Sequence, residues 1–170
     1  MSQVYKIKKT FMVPFIIAVA LLLVLLALSL FSGQPWEQIL IAVLCVITLV
    51  IAIEAFEREF AVAENGLRIK KFFRIKQFTW AEITHMGVVI MRNKAYFLLT
   101  TTKGFYILSN LLQDHTSLIR YLADKLGEEK VEAEVKNYLE NPIERTSLIV
   151  FTWIALIIII AIILTKLIKS

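Results

Sequence analysis

The sequence predicts an α+β membrane protein, with three transmembrane helices and a small antiparallel β-roll closed by a C-terminal helix. Three observations carry this. Three apolar runs approach or exceed the length of a bilayer span. The stretch between the second and third alternates apolar and polar residues around a hairpin turn, and its period then lengthens to that of an amphipathic helix. The 170 residues are 58% hydrophobic and 19% charged, with a mean hydropathy of +0.72, whereas soluble domains sit at about 45–50% apolar. The length leaves room for one modest domain beside the spans and excludes a large multidomain enzyme. With 5 Gly and 3 Pro there is no low-complexity linker, and 1 Cys cannot form an internal disulfide or a cysteine-rich zinc site.

Residues 1–10 read as a cytoplasmic tail carrying Lys6, Lys8 and Lys9, followed by a transmembrane hairpin over 11–56. In its first span, 11–31, only Pro14 and Ser29 interrupt the apolar run, and 21 residues rising ~1.5 Å each cover the ~30 Å hydrocarbon core. A cleaved signal peptide is the rival. Its apolar region would be about 7–15 residues, and Leu30-Phe31-Ser32 lacks a small-x-small cleavage site. Ser32-Gly33-Gln34-Pro35 then turns the chain. The second span, 36–54, has Trp36 at interfacial depth and only Thr48 polar between Ile39 and Ile53. A buried soluble helix has a similar pattern, but the preceding span and short loop favour a membrane hairpin. Cys45 and Thr48 are ordinary span residues on this reading.

Residues 57–127 change character. Phe60 and Val62 alternate with small residues, Asn65-Gly66 is a strong hairpin signal, and Leu67 and Ile69 alternate with Arg68 and Lys70. Further strands are expected over 74–80, 83–91, 95–102 and 105–109, with turns at Phe72-Phe73, Arg92-Asn93-Lys94 and Lys103-Gly104. Strands this short and evenly spaced imply a meander that curls into a roll. Leu111, His115, Leu118, Ile119, Leu122 and Leu126 then fall on one helical face, and Gly127 is placed to end the helix. That helix closes the roll by burying a stripe that neither could bury alone. A charged connecting helix is expected over 128–140, with Val131, Val135 and Leu139 on its apolar edge and Glu132 and Lys136 as an i,i+4 pair. The third span occupies 141–168. Asn141 caps it, Pro142 takes its first position and Glu144 completes a capping box; Trp153 sits at one interface, and Lys166 and Lys169 snorkel at the other.

Orientation follows from the basic residues. The tail holds 3, the hairpin loop none, the segment between spans two and three 14, and the C-terminal end 2. The positive-inside tendency then places the N-terminus and the domain in the cytoplasm and the C-terminus outside. The secure part is the three tail lysines, since long domains weigh less in that rule.

The string Asn65-Gly66-Leu67-Arg68-Ile69-Lys70-Lys71, then Arg74, then Phe78-Thr79-Trp80-Ala81-Glu82-Ile83, resembles the signature of bacterial pleckstrin-homology-like domains, many of which are tethered to a pair of membrane helices. The resemblance covers roughly residues 56–127. It implies a PH-like fold and an inner-membrane, multi-pass location, with Asn65, Gly66, Trp80 and Ile83 as the fold signature; Trp80 and Ile83 would plug the roll. Two departures stand out. Phe72-Phe73 occupies a turn often made with glycine, and the third span is an addition.

No catalytic constellation emerges. His85 lies in a strand and His115 on an apolar helix face, neither with a partner at metal-ligand spacing, and Asp114 reads as a helix-start residue. Gly-rich phosphate loops, Gly-x-Ser-x-Gly elbows and HExxH are absent from the sequence. We therefore expect no enzyme, no metal, no cofactor and no small-molecule substrate. Residues 65–81 carry Arg68, Lys70, Lys71, Arg74 and Lys76 with no acidic residue, while residues 128–144 carry six Glu against Lys130 and Lys136. This basic set can rest on an anionic leaflet, meet a partner protein, or simply be the solvent-facing alternates of two strands. It can also meet the acidic helix of a second copy, with the spans packing through Ala18, Ala20 and Ala27. Nucleic acid is not expected, since the basic face is not continuous. The function expected is a non-enzymatic, membrane-anchored scaffold or regulatory subunit whose partners are the bilayer and either further copies or another membrane protein. The alternative is a component of a transport system with the domain as a gate.

Overall fold

The computed structural model describes residues 3–72 and 74–169 and divides into two compact units. The first joins residues up to Lys8 with Glu57–Thr146; the second joins Lys9–Phe56 with the chain from Ser147 onward.

The second unit holds three helices: α1 (Lys9–Ser32), α2 (Pro35–Glu57) and α5 (Ser147–Lys169). Each is long and apolar enough to cross a bilayer. They meet along a narrow seam of Leu22, Leu25, Ile41, Cys45 and Ile163, and most of their remaining apolar side chains point outward. Thr48 and Thr152 turn their hydroxyls back to the carbonyls of Leu44 (2.8 Å) and Leu148 (2.7 Å), so neither leaves an unsatisfied donor in an apolar setting. At the hairpin end, Lys166 Nζ donates to Glu37 Oε2 (2.9 Å) and to the buried Ser29 Oγ (3.2 Å). The third helix thus runs parallel to the first.

The first unit contains two antiparallel sheets. One has the order β1 (Gln3–Lys6), β2 (Glu59–Ala63), β3 (Gly66–Lys71), β4 (Arg74–Thr79); the other is β5 (Ile83–Met91), β6 (Lys94–Thr101), β7 (Gly104–Ser109). Period-2 alternation explains the inward faces: Phe60 and Val62 on β2, Leu67 and Ile69 on β3, Ala95, Phe97 and Leu99 on β6. A 3-10 turn, Trp80–Glu82, joins the two sheets. Helix α3 (His115–Leu126) buries His115, Leu118, Ile119, Leu122 and Leu126, and ends at Gly127, whose φ of +78° suits the stop. Helix α4 (Ala133–Glu140) buries Val135 and Tyr138.

Several expectations are corrected. Residues 3–6 are not a free tail: they pair with β2 from Gln3↔Val62 to Lys6↔Glu59, so one sheet closes across the whole helical hairpin. Residues 7 and 8 continue to the segment after β7, through an Ile7↔Leu112 bridge and a Lys8 N–H to Leu111 C=O bond. The β2–β3 loop is Glu64-Asn65, one residue earlier than expected, because Ala63 pairs with Gly66. Gly66 is required for another reason: at φ +156° an added Cβ would collide with the Phe78 carbonyl of β4. Trp80 does not plug the interior. It is half-buried, lies tilted against Tyr121 with ring centres 6.1 Å apart and donates from Nε1 to the Glu64 carbonyl (2.8 Å), pinning the hairpin from outside, while Ile83 is fully buried.

The charged helix over 128–140 breaks in two because Val131 forms a parallel bridge with Met86, ending a short 3-10 turn (Glu128–Lys130) before α4 begins. Glu132 therefore faces His85 and Lys136 pairs with Glu128, so the expected Glu132–Lys136 pair does not form. Tyr138, rather than Leu139, fills the buried position. Asn141-Pro142 ends α4 without starting the next helix; residues 141–146 are irregular and α5 begins at Ser147. Asp114 precedes α3 with a φ of 51° and accepts from Ser117 Oγ (2.8 Å) instead of capping the backbone. Phe73 of the expected Phe72-Phe73 turn, and the side chain of Lys169, lie outside the described residues.

Candidate functional site

The five basic residues singled out in the sequence part company in the structure. On β3, alternation sends Leu67 and Ile69 inward and Arg68 and Lys70 outward. Lys70 is held by Glu57 in an ion pair, and Lys6 on β1 pairs with Glu59 at 3.7 Å, so this face of the sheet is largely neutralised. Arg68 is exposed on it. Lys71, Arg74 and Lys76 lie elsewhere. They flank the β3–β4 turn in the register Lys71↔Arg74 and Ile69↔Lys76, and all three line a cleft of about 920 Å³ between the two sheets.

Two residues that the sequence reading passed over complete its charge. Arg58 is the single residue between α2 and β2, and Arg145 stands two positions before α5; both line the cleft. Their signal was position, since each is basic and adjoins the end of an apolar helix. Five basic side chains therefore surround the opening, with no acidic residue in the lining.

The cleft is ordered by aromatic contacts. Lys76 Nζ donates to the Tyr106 hydroxyl at 2.8 Å and lies 5.2 Å from its ring centre, while Phe78 packs against that ring in a tilted arrangement, centre to centre 4.7 Å. The Arg145 guanidinium lies 5.7 Å over the Tyr96 ring, with its Nε buried and without a hydrogen-bond partner among the described residues. The floor is apolar, formed by Phe60, Ile69 and Leu111. Such a site offers cationic donors above an apolar base.

Several titratable groups outside the cleft have structural partners. Glu82 accepts from Thr79 N–H (2.9 Å) and pairs with Lys103 (2.5 Å), and the hydrogen bond from Lys103 holds its carboxyl below the usual range. His85 meets Glu132 at 2.8 Å. His115 is buried, with Nε2 2.8 Å from the Tyr138 hydroxyl. That hydroxyl also lies 3.0 Å from the Ile143 carbonyl, so His115, Tyr138 and Ile143 form one buried hydrogen-bonded chain. Burial lowers the His115 pKa, helped by the nearby Lys8 ammonium.

No curated protein and no solved structure matches the chain. A family described as a family of unknown function (DUF6585) matches residues 2–139, from β1 through the first two apolar helices and both sheets into α4, ending before α5. The chain belongs to that family.

Proposed function

We propose that this protein is a non-enzymatic scaffold or regulatory subunit of the inner membrane. It presents a cytoplasmic PH-like binding domain and acts through self-association or a partner protein. Four strands followed by three, then an amphipathic helix, support the PH-like reading, with α3 in the role of the closing helix. The lysines at positions 6, 8 and 9 before the first span support a cytoplasmic N-terminus and domain, with the C-terminus outside.

The observation that carries the proposal is how the β unit is built onto the helices. Strands β1 and β2 pair directly, yet the hairpin α1–α2 is inserted between them through junctions of two residues (Ile7-Lys8) and one residue (Arg58). A module on such short tethers cannot explore the cytosol, so any partner is met at the bilayer at high effective concentration. A transport gate would call for polar groups along the helical seam. The hydroxyls of Thr48 and Thr152 bond their own helices, and the Ser29, Glu37 and Lys166 cluster sits at one end, which favours the scaffold.

Crosslinking in intact cells, followed by purification in mild detergent and sedimentation, tests this. A defined species heavier than the 19.5 kDa chain is expected. Recovery of the uncrosslinked monomer alone would overturn the proposal.

A further inference from the structure

We propose that the free edge of β7 takes up an extended acidic segment of a partner protein as an added strand. The inference names the class of partner for the scaffold reading above and rests on that reading. Every residue it uses belongs to the β unit.

The first argument is the state of the strand edges. A sheet edge presents a row of unpaired N–H and C=O groups, and proteins protect such rows by covering them or by placing charge or proline there. The β1 edge is covered where Gln113 N–H bonds the Lys6 carbonyl and, just beyond it, Lys8 N–H bonds the Leu111 carbonyl. The β5 edge is covered at Met86, which bridges Val131 and accepts from Glu132 N–H. β4 carries Arg74 and Lys76. β7 has none of these protections. Among the described residues it pairs only with β6, its sequence Gly104–Ser109 holds no charge and no proline, and Phe105 and Ile107 are 76% and 53% exposed.

The second argument is where the cleft lies. Phe105, Ile107 and Ser109 form one alternating set of β7 side chains and Tyr106 belongs to the other, yet all four line it. A cleft over one face of a strand meets a single set. One that meets both runs beside the strand, where an added neighbour sits at about 4.7–4.9 Å. Its volume of about 920 Å³ is large for a single small anion and suits a length of extended chain. The far end of β5, Val89–Met91, is also apolar and exposed, but it does not border the cleft.

The third argument is charge complementarity, which selects the occupant. The register Ile69↔Lys76 and Lys71↔Arg74 puts Lys71, Arg74 and Lys76 on the same side of their sheet as the inward-facing Ile69. Lys76 reaches the Tyr106 hydroxyl at 2.8 Å. A strand laid on the β7 edge therefore points alternate side chains toward this basic wall, on the Tyr106 side, and toward Phe105 and Ile107 on the other. The lining contains no acidic residue. A segment alternating carboxylates with apolar side chains matches both sides, and a basic one is repelled. Main-chain hydrogen bonds supply the affinity of such an added strand, and the alternate side chains its selectivity.

The test uses the full chain in a neutral detergent and reads the fluorescence anisotropy of labelled peptides of about eight residues, close to the length of a strand. A peptide alternating glutamate and valine should bind, and its lysine–valine counterpart should not. A strand turns only every second amide toward a given neighbour. N-methylation of either the glutamate or the valine amides should therefore weaken binding by about tenfold or more, while methylation of the other set changes little. This arm uses the unaltered protein, so misfolding cannot imitate it. Arg74→Gln/Lys76→Gln should weaken binding by roughly tenfold, and Arg120→Gln, exposed on α3 outside the cleft, should not. Absence of binding, equal binding of the lysine–valine peptide, or undiminished binding by the double variant would overturn the proposal. Indifference to methylation of both sets, or full displacement by inorganic phosphate at constant ionic strength, would overturn it in favour of a site for bare anions. The two readings fail separately: a crosslinked species without peptide binding would remove the added strand and leave the scaffold, whereas a monomer in the crosslinking experiment would remove the scaffold whatever the peptide does.

Discussion

Phe97 on β6 and Ile157 on α5 are both large and apolar, yet Phe97 is completely sealed and Ile157 is 62% exposed. The contrast extends across the two units. In the β unit, Met86, Leu99, Leu118, Leu122 and Val135 also have no accessible surface, whereas Ile39, Val46 and Ile158 face outward from the helices. Similar side chains are used in opposite ways. The β unit must bury its apolar area internally to gain from water, while helices in hydrocarbon gain nothing by hiding theirs and associate through a narrow packed seam. Truncation at the two positions should therefore differ sharply. Phe97→Ala is expected to destabilise the β unit by ~3–5 kcal/mol, read as a fall in its unfolding temperature by near-UV circular dichroism in detergent. Ile157→Ala should leave that transition where it is, and similar shifts for both variants would break the comparison.

The reverse substitution sharpens it. An arginine at position 157 stands in mid-helix on an outward face. It should oppose membrane insertion of α5 by ~2.5–3.5 kcal/mol on the translocon scale, measured as the inserted fraction in a microsomal glycosylation assay. The same charge at exposed Arg92 of the β5–β6 turn is already tolerated, because water solvates it. Efficient insertion of Ile157→Arg would mean that α5 does not face lipid.

Much of this division was legible in the sequence, and what was not has a common cause. Uninterrupted apolar runs gave the three helices to within a few residues, and the alternation of Phe60, Val62, Leu67 and Ile69 gave the inward face of two strands, because both are local patterns. Strand β1 was invisible: Gln3–Lys6 has no pattern of its own and becomes a strand only through β2, whose partner residues lie beyond the entire helical hairpin. The cleft was half visible for the same reason. Lys71, Arg74 and Lys76 sit on one hairpin, but Arg58 and Arg145 are distant in sequence and join them only in the fold. The break at Val131 likewise depended on a bridge to Met86 that helical periodicity does not encode.

Within the β unit, polar groups sealed among apolar ones should show a pH dependence that the helical unit lacks. Tyr138 is 2% exposed, and burial raises the pKa of its phenol. Tyr138→Phe removes the hydrogen-bond partner of His115 Nε2 and one of the two donors to the Ile143 carbonyl, the other being Asn110 Nδ2 at 2.8 Å. A loss of ~1–3 kcal/mol is expected, with faster amide exchange over residues 141–146. His115 itself sets the sign of the pH effect. Its folded pKa lies below the ordinary 6.5, so the unfolded chain takes up the proton first. Stability from this group is complete above about 6.5 and declines as pH falls from there toward the folded value. His115→Gln should flatten that decline in unfolding temperatures measured between pH 7.5 and 5. Lys8 and Glu144 also face the ring with opposite influence; Lys8→Gln removes the lowering influence, so the decline should become shallower and end at a higher pH.

The smallest effect belongs to the ion pair between Lys8 and Glu144, which joins the end of the N-terminal segment to the stretch leading into α5. By position it looks like a clasp. By exposure it does not: the Lys8 side chain is well covered, but that of Glu144 is 63% accessible, so water and salt screen the attraction. Exposed pairs contribute about 0–1 kcal/mol. Backbone contacts do the holding, with Lys8 N–H on the Leu111 carbonyl (3.0 Å) and Gln113 N–H on the Lys6 carbonyl (2.7 Å), neither of which needs the carboxylate. Glu144→Gln should therefore shift the unfolding of the β unit by no more than about 1 kcal/mol, and less at high salt. Tyr138→Phe, which frees the neighbouring Ile143 carbonyl from the inside, should exceed it. If Glu144→Gln proved the more damaging of the two, the exit toward α5 would be secured by surface charge, and the sealed hydrogen-bond network around Tyr138 would lose its place in the fold.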